Sequence, residues 1–253
     1  MKCRSEELAA VTISKKEWLL EFAYPELGHR RLKDIEPIDV LGVLQTVERK
    51  GAYETTRRLR ATIGAVFRYG VATARAPSDP TIALRGATIA PKVTHRAAII
   101  EPKRFGDLLR AIDTFDGQPA IRSGLKMLAL AFPRPGELRF AEWSEFDLDQ
   151  KIWTIPAAKT KMGRDHLVPL SNQVIEVLGE LRKSSGHHKL VLPSLHGGKT
   201  PVSENAFNLG LRRLGFGPDE MTSHGFRATA STLLNESGKW AEDAIERQLA
   251  HLD

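Results

Sequence analysis

Along the first third of the chain, apolar residues return every three or four positions. The spacing predicts a helix from Ser14 to Tyr24, with Ser14 as N-cap and Glu17 at the capping-box position, broken by Pro25 and Gly28. A second helix is expected from Ile38 to about Arg49, with Pro37 in its first turn and Gly51 as its stop. A third, from about Tyr53 to Ala74, places Leu59, Ile63, Val66, Phe67 and Val71 at helical spacing. Ala76-Pro77-Ser78-Asp79-Pro80 ends it. Residues 86–98, with Gly86, Pro91, Lys92, His95 and Arg96, read as a basic interdomain linker, which gives domains 1–95 and 96–253.

Past the linker the pattern mixes. Helices are expected from Glu101 to Phe115 and from Pro119 to Phe132. Three short strands follow at residues 146–149, 151–155 and 166–170, the last two joined by a polar, basic loop from Pro156 to Asp165. Helices return at residues 172–183, 203–214, 223–235 and 242–250, with Ser203 and Ser223 as capping residues. The fold class is α+β, mainly α: a helical first domain, then a mostly helical second domain with a small three-stranded antiparallel sheet.

Composition narrows the setting. The 253 residues suit two modest domains, and 42% apolar with 27% charged residues is ordinary for a globular chain. No apolar run approaches the roughly 18 residues of a membrane span, and the first residues lack the apolar stretch of a secretory signal. The single cysteine, Cys3, cannot form an internal disulfide, so a reducing cytoplasm is expected. His187-His188 with His196 lies in a polar stretch without cysteines and is read as no metal site. The absence of a Gly-Lys-Ser/Thr phosphate loop and of clustered carboxylates argues against a nucleotide or metal cofactor.

The net charge of +6 favours polyanionic partners only weakly, so placement decides. Arg57, Arg58, Arg60, Arg68 and Arg75 gather around the third helix, and Lys92 and Arg96 follow in the linker. A solvated basic face is the plain reading. A face laid against DNA phosphates is the sharper one.

The chemistry concentrates in the second domain. His224-Gly225-Phe226-Arg227 puts a histidine and an arginine three apart on a helical segment, so that both can hold one anion. Arg134 in Arg134-Pro135-Gly136-Glu137-Leu138, Lys161 in the basic loop and His251 in Leu249-Ala250-His251 supply further cationic or imidazole groups. Each alone has a bland reading: a helix start, a solvated lysine, a capping histidine.

In this order the motifs resemble the tyrosine recombinases, or phage integrases. Phe132-Pro133-Arg134-Pro135-Gly136-Glu137-Leu138-Arg139 is similar to the family's first box, and Lys161 ahead of Val168-Pro169-Leu170 to its hairpin lysine. His224-Gly225-Phe226-Arg227 resembles the His-x-x-Arg box, and Leu249-Ala250-His251 the Leu-Gly-His element. The likeness is greatest to integrases of temperate phages and genomic islands. It implies a core-binding domain, then a catalytic domain that cleaves and rejoins DNA through a 3′-phosphotyrosyl bond. On that pattern Arg134 and Arg227 clamp the phosphate and Lys161 protonates the leaving 5′-oxygen. His224 donates to the phosphate or shuttles a proton, His251 bonds a phosphate oxygen, and Glu137 orients Arg134 or His224. No cofactor is implied. The resemblance implies a duplex DNA partner, held between the two domains, with a monomer in solution and a tetramer on DNA when full-length.

One element of the family pattern has no counterpart. Its nucleophilic tyrosine follows the position of His251 within about ten residues, whereas Tyr24, Tyr53 and Tyr69 are the chain's tyrosines. The chain is therefore expected to bind DNA without cleaving it alone, as a fragment or a decayed gene product. The alternative is a sequence-specific DNA-binding regulator without chemistry.

Overall fold

A computed structural model describes residues 10–92, 96–160, 163–195 and 197–251. The chain divides into two compact units, Met1–Thr94 and His95–Asp253, each with its own apolar core. The sequence motifs that carry chemistry all fall in the second.

In the first unit, α1 (Ala10–Glu21), α2 (Tyr24–Leu27), α3 (Pro37–Glu48) and α4 (Tyr53–Ala72) pack around Val40, Val43, Leu44, Leu59, Ile63 and Phe67. Ser14 is not a cap: α1 already runs through it from Ala10. Pro25 does not end a helix either, but sits in the first turn of the short α2, where its missing N–H costs nothing. Val66 and Val71 point outward, because the inward row of α4 is Thr56, Leu59, Ile63, Phe67 and Gly70. The helix stops two residues early: Ala74 takes a left-handed φ of 55°, and the amides of Arg75 and Ala76 both donate to the Gly70 carbonyl. Arg75 thus lies beyond α4. The segment after it packs back on the unit through Ala76, Leu84 and the buried carboxylate of Asp79.

In the second unit, α5 (Pro102–Asp113), α6 (Pro119–Ala131), α7 (Pro135–Arg139), α8 (Asn172–Ser185), α9 (Ala206–Arg213), α10 (Gly225–Ser237) and α11 (Glu242–Gln248) accompany one sheet. Helix α6 is apolar on several sides, with Leu125, Met127 and Leu128 fully buried, and it packs against α5, α8, α9 and α10. That is what a central helix requires.

The sheet is antiparallel in the order β1 (Phe146–Asp147), β2 (Ile152–Ile155), β3 (His166–Pro169), with Ile155 opposite His166. The first strand is shorter than its sequence suggests. Asp147 caps the turn by accepting from the Gln150 amide at 2.8 Å, and Lys151 bends the chain with φ 53°. Trp153 anchors the sheet, stacked on Phe146 and donating to Glu145 at 3.0 Å.

Neither Ser203 nor Ser223 caps a helix. Helix α9 starts three residues after Ser203, with Asn205 at the N-cap position and no side-chain cap. The Ser223 amide is taken by Asn208, and Thr222 Oγ1 accepts from the Gly225 amide at 3.1 Å instead. Gly225 is there for space. A Cβ on it would come within 2.3 Å of the Ala97 carbonyl, which also accepts from the amide and hydroxyl of Thr222.

Candidate active site

Four short stretches of the second unit converge. Helix α6 ends at Phe132, a non-glycine residue in the left-handed region (φ 44°, ψ 42°). That turn reverses the chain so that Pro133 is buried and Arg134 precedes α7. Glu137, in the first turn of α7, is 4% exposed. One of its oxygens accepts from the Arg134 amide at 3.0 Å and the other from Arg134 Nη1 at 2.8 Å. A single carboxylate therefore fixes both the backbone and the guanidinium of Arg134.

Arg134 Nη2 reaches on to the Ala250 carbonyl at 3.2 Å. Arg227, in the first turn of α10, donates from Nη1 to the Phe132 carbonyl at 3.0 Å and from Nη2 to the Leu249 carbonyl. The two arginines thus grip consecutive carbonyls where the chain leaves α11. Two of the three acceptors, Phe132 and Ala250, are non-glycine residues with positive φ, the latter at 50°. Such backbone costs roughly 1–2 kcal/mol per residue and persists where surrounding bonds hold it. Gln248 adds a bond from its side chain to the Ala131 carbonyl at 3.1 Å.

Arg227 Nη2 also lies 3.0 Å from His251 Nε2, and His251 Nδ1 lies 2.9 Å from Glu246 Oε2. A guanidinium has no lone pair, so Nε2 accepts and Nδ1 carries the proton donated to Glu246. Burial lowers the pKa of Arg227 to about 10, and the charge of Arg134 adds to that, against Glu137 and Glu246. Two like charges held together in a partly desolvated place favour an anion between them.

His224 precedes α10 and keeps an exposed edge. Desolvation of the rest of the ring lowers its pKa, as do Arg96 and Arg227, while Glu204 opposes them. It is therefore a neutral imidazole at pH 7, able to take or give one proton. No bond joins Glu137 to His224 among the described residues, so the carboxylate belongs to Arg134.

The structure thus brings Arg134, Glu137, Arg227 and His251 into one bonded cluster, with His224 within the field of Arg227. Lys161 lies outside the described residues, as does His196. Lys159, two residues before Lys161, is tied down by the Phe140 carbonyl at 2.8 Å, Glu142 at 3.1 Å and Glu145. Sequence reasoning missed Glu246, whose role shows only once α11 places it against His251. It also missed His166, buried at the start of β3.

The arginines of the first unit have mixed surroundings. Glu54 pairs with both Arg57 and Arg58 at 2.7 Å, Arg68 with buried Asp79 at 3.0 Å, and Arg60 Nη1 lies 3.5 Å from the Thr81 carbonyl. Arg75, Lys92 and Arg96 are exposed. No group of three His, Cys, Asp or Glu side chains suited to a metal occurs among the described residues, and no described helix is long and apolar enough to cross a membrane.

A helical first unit followed by a helical unit with a three-stranded sheet is the fold of the tyrosine recombinases. The chain superimposes on the lambda integrase dimer bound to a COC′ core site with a TM-score of 0.75, at 17% identity over 97% of this chain and 70% of that one. For the Tn1549 transposon integrase in complex with transposon right end DNA the score is 0.80, at 14% identity over 100% and 89%. The chain belongs to the phage integrase family: the family profile matches residues 99–253, and that of the phage integrase central domain residues 1–87. Among relatives, the integrase of Enterobacteria phage P4 is 34% identical over 243 residues, covering 91% of this chain and 55% of the relative. Prophage integrase IntZ of Escherichia coli K12 is 38% identical over 232 residues, covering 90% and 56%. The chain spans little more than half the length of these two relatives.

Proposed function

We propose that the second unit is the phosphate-activating half of a site-specific DNA recombinase, which cleaves and rejoins strands through a 3′-phosphotyrosyl intermediate to integrate or excise a mobile element. The observation that carries this reading is the paired grip of Arg134 and Arg227, two guanidinium groups from separate elements fixed by one buried carboxylate and one imidazole. Phosphoryl transfer needs little from a protein beyond position and charge stabilisation. Two planar forks can bind the non-bridging oxygens and stay charged throughout.

In this reading the scissile phosphate displaces the backbone carbonyls from part of the two forks. Arg134, held by Glu137, and Arg227 bind its oxygens. His251, held by Glu246, hydrogen-bonds a phosphate oxygen. Lys161 protonates the leaving 5′-oxygen, and His224 donates to the phosphate or relays a proton. The scheme uses no metal. The first unit contacts duplex DNA with Arg57, Arg58, Arg60, Arg68 and Arg75, and Lys92 and Arg96 follow the backbone beyond it. The working setting is the cytoplasm of a bacterial host, with a monomer in solution and, for the full-length protein, a tetramer on DNA.

The three tyrosines all belong to the first unit. We therefore expect these 253 residues to bind DNA and polarise a phosphate without attacking it. The test uses a nicked duplex recovered by selection on the chain itself. The chain alone should give no covalent adduct. A chimera in which the tyrosine-bearing segment of a related integrase follows Asp253 should give one, lost again in Arg134→Ala or Arg227→Ala. A chimera that binds the duplex fully and never forms an adduct overturns the enzymatic reading in favour of a DNA-binding regulator.

A further inference from the structure

His166 opens β3 opposite Ile155 and is 9% exposed. Neither ring nitrogen reaches solvent or makes a hydrogen bond of full geometry among the described residues, and the Arg247 main chain offers only a marginal contact. Buried polar groups are nearly always bonded, so a ring left this way in the interior calls for an explanation. The charged and polar groups around it are those of the site: Glu137 and Arg134 at α7, Arg227 from α10, and the main chain of Arg247 from α11.

We infer that His166 is a proton-linked positioning residue of the anion site, neutral when no anion is bound and protonated when an oxyanion occupies the Arg134–Arg227 pair. The inference rests on the phosphate-clamp reading above. Without an anion, a proton on His166 would add a third cation to a desolvated cluster. Burial opposes that first, and Arg134 and Arg227 oppose it further, against the pull of Glu137 and the Arg247 main chain. An oxyanion bound by the same two guanidinium groups offsets their field at the ring, and the balance moves toward the protonated form. The proton comes from solvent as the anion binds. It adds positive charge behind the clamp, where charge builds up as the phosphate is attacked. The ring nitrogens are closed off from solvent, so His166 acts through the arginines and not by touching substrate.

Sulfate is the suitable probe, because its charge is constant across the titration range. The experiment is an NMR pH titration of the chain carrying isotope-labelled histidine, with and without sulfate at matched ionic strength. His166→Gln identifies the resonance, with His166→Asn in reserve if that variant does not fold. The expected result is a midpoint for His166 that rises when sulfate is added. Sulfate binding should tighten as pH falls by up to about tenfold per unit, and His166→Gln should lose its share of that slope. A purely structural histidine would change stability and leave both readings unmoved. If sulfate binds, and Arg134→Ala with Arg227→Ala abolishes the binding, yet the His166 midpoint stays fixed, the inference fails and the clamp reading stands. If the pair binds no sulfate, both fail together.

Discussion

Arg227 and His251 meet nitrogen to nitrogen, Nη2 to Nε2 at 3.0 Å, across 24 residues of sequence. Only one arrangement of protons satisfies that contact. Nε2 must be bare, and the ring proton must sit on Nδ1 facing Glu246. Glu246 therefore sets the tautomer that Arg227 sees. Long-range proton–nitrogen correlation spectra should show His251 as the Nδ1–H form at neutral pH, and Glu246→Gln should weaken that preference. An Nε2–H form in the unmodified chain would contradict the arrangement.

Glu137 is the most buried acid of the site and serves Arg134 with both oxygens. Its removal leaves a half-buried guanidinium and a backbone amide without their acceptor. Glu137→Ala should cost roughly 2–3 kcal/mol in chemical denaturation, and Glu137→Gln less, because the amide oxygen can still accept. A loss under about 0.5 kcal/mol, typical of neutral surface changes, would mean that the bonds contribute nothing net.

Ala250 holds φ at 50°, and its carbonyl accepts from Arg134. Glycine takes that backbone without the Cβ clash. Ala250→Gly should therefore raise stability by about 0.5–1 kcal/mol while leaving the site intact, read as an upward shift in Tm. Ala250→Val should do the reverse, because a β-branched side chain tolerates this region least.

Acid should weaken the second unit through two partly desolvated imidazoles, the buried His166 and the more exposed His224. The folded-state pKa values of His166 and His224 both lie below the ordinary histidine value of 6.5, so the unfolded chain binds more protons than the folded one. Stability is then full above 6.5 and falls as pH drops below it, until the folded-state values are reached. His166→Gln should flatten the fall in denaturant midpoint as pH drops below about 6.5. An equal slope in that variant would show that His166 is not among the groups responsible.

Much of this was legible in residue order. The pattern of helices and the three strands follow from periodicity, and Arg134, His224, Arg227 and His251 from motif spacing. Helix starts were less legible. Ser14, Ser203 and Ser223 have the right chemistry for caps, but a cap needs the backbone to turn at that residue, which α1, Asn205 and Thr222 decided otherwise. Glu246 and His166 could not be found from spacing at all. One acts only because α11 folds its end back toward Arg227, and the other because the register of β2 with β3 turns it inward. Likewise Arg68 reads as one more exposed cation until Asp79, 11 residues on, is seen to accept from it.

The central claim is that Arg134 and Arg227 together hold one phosphate of duplex DNA. It is tested most directly by the salt dependence of duplex binding, measured for this chain and for the variant carrying both Arg134→Ala and Arg227→Ala. Losing one neutralised phosphate should make the slope of log affinity against log salt shallower by about 0.9. The contacts of the first unit should remain and keep the variant bound at low salt. An unchanged slope, in a variant shown to be folded, would contradict the claim.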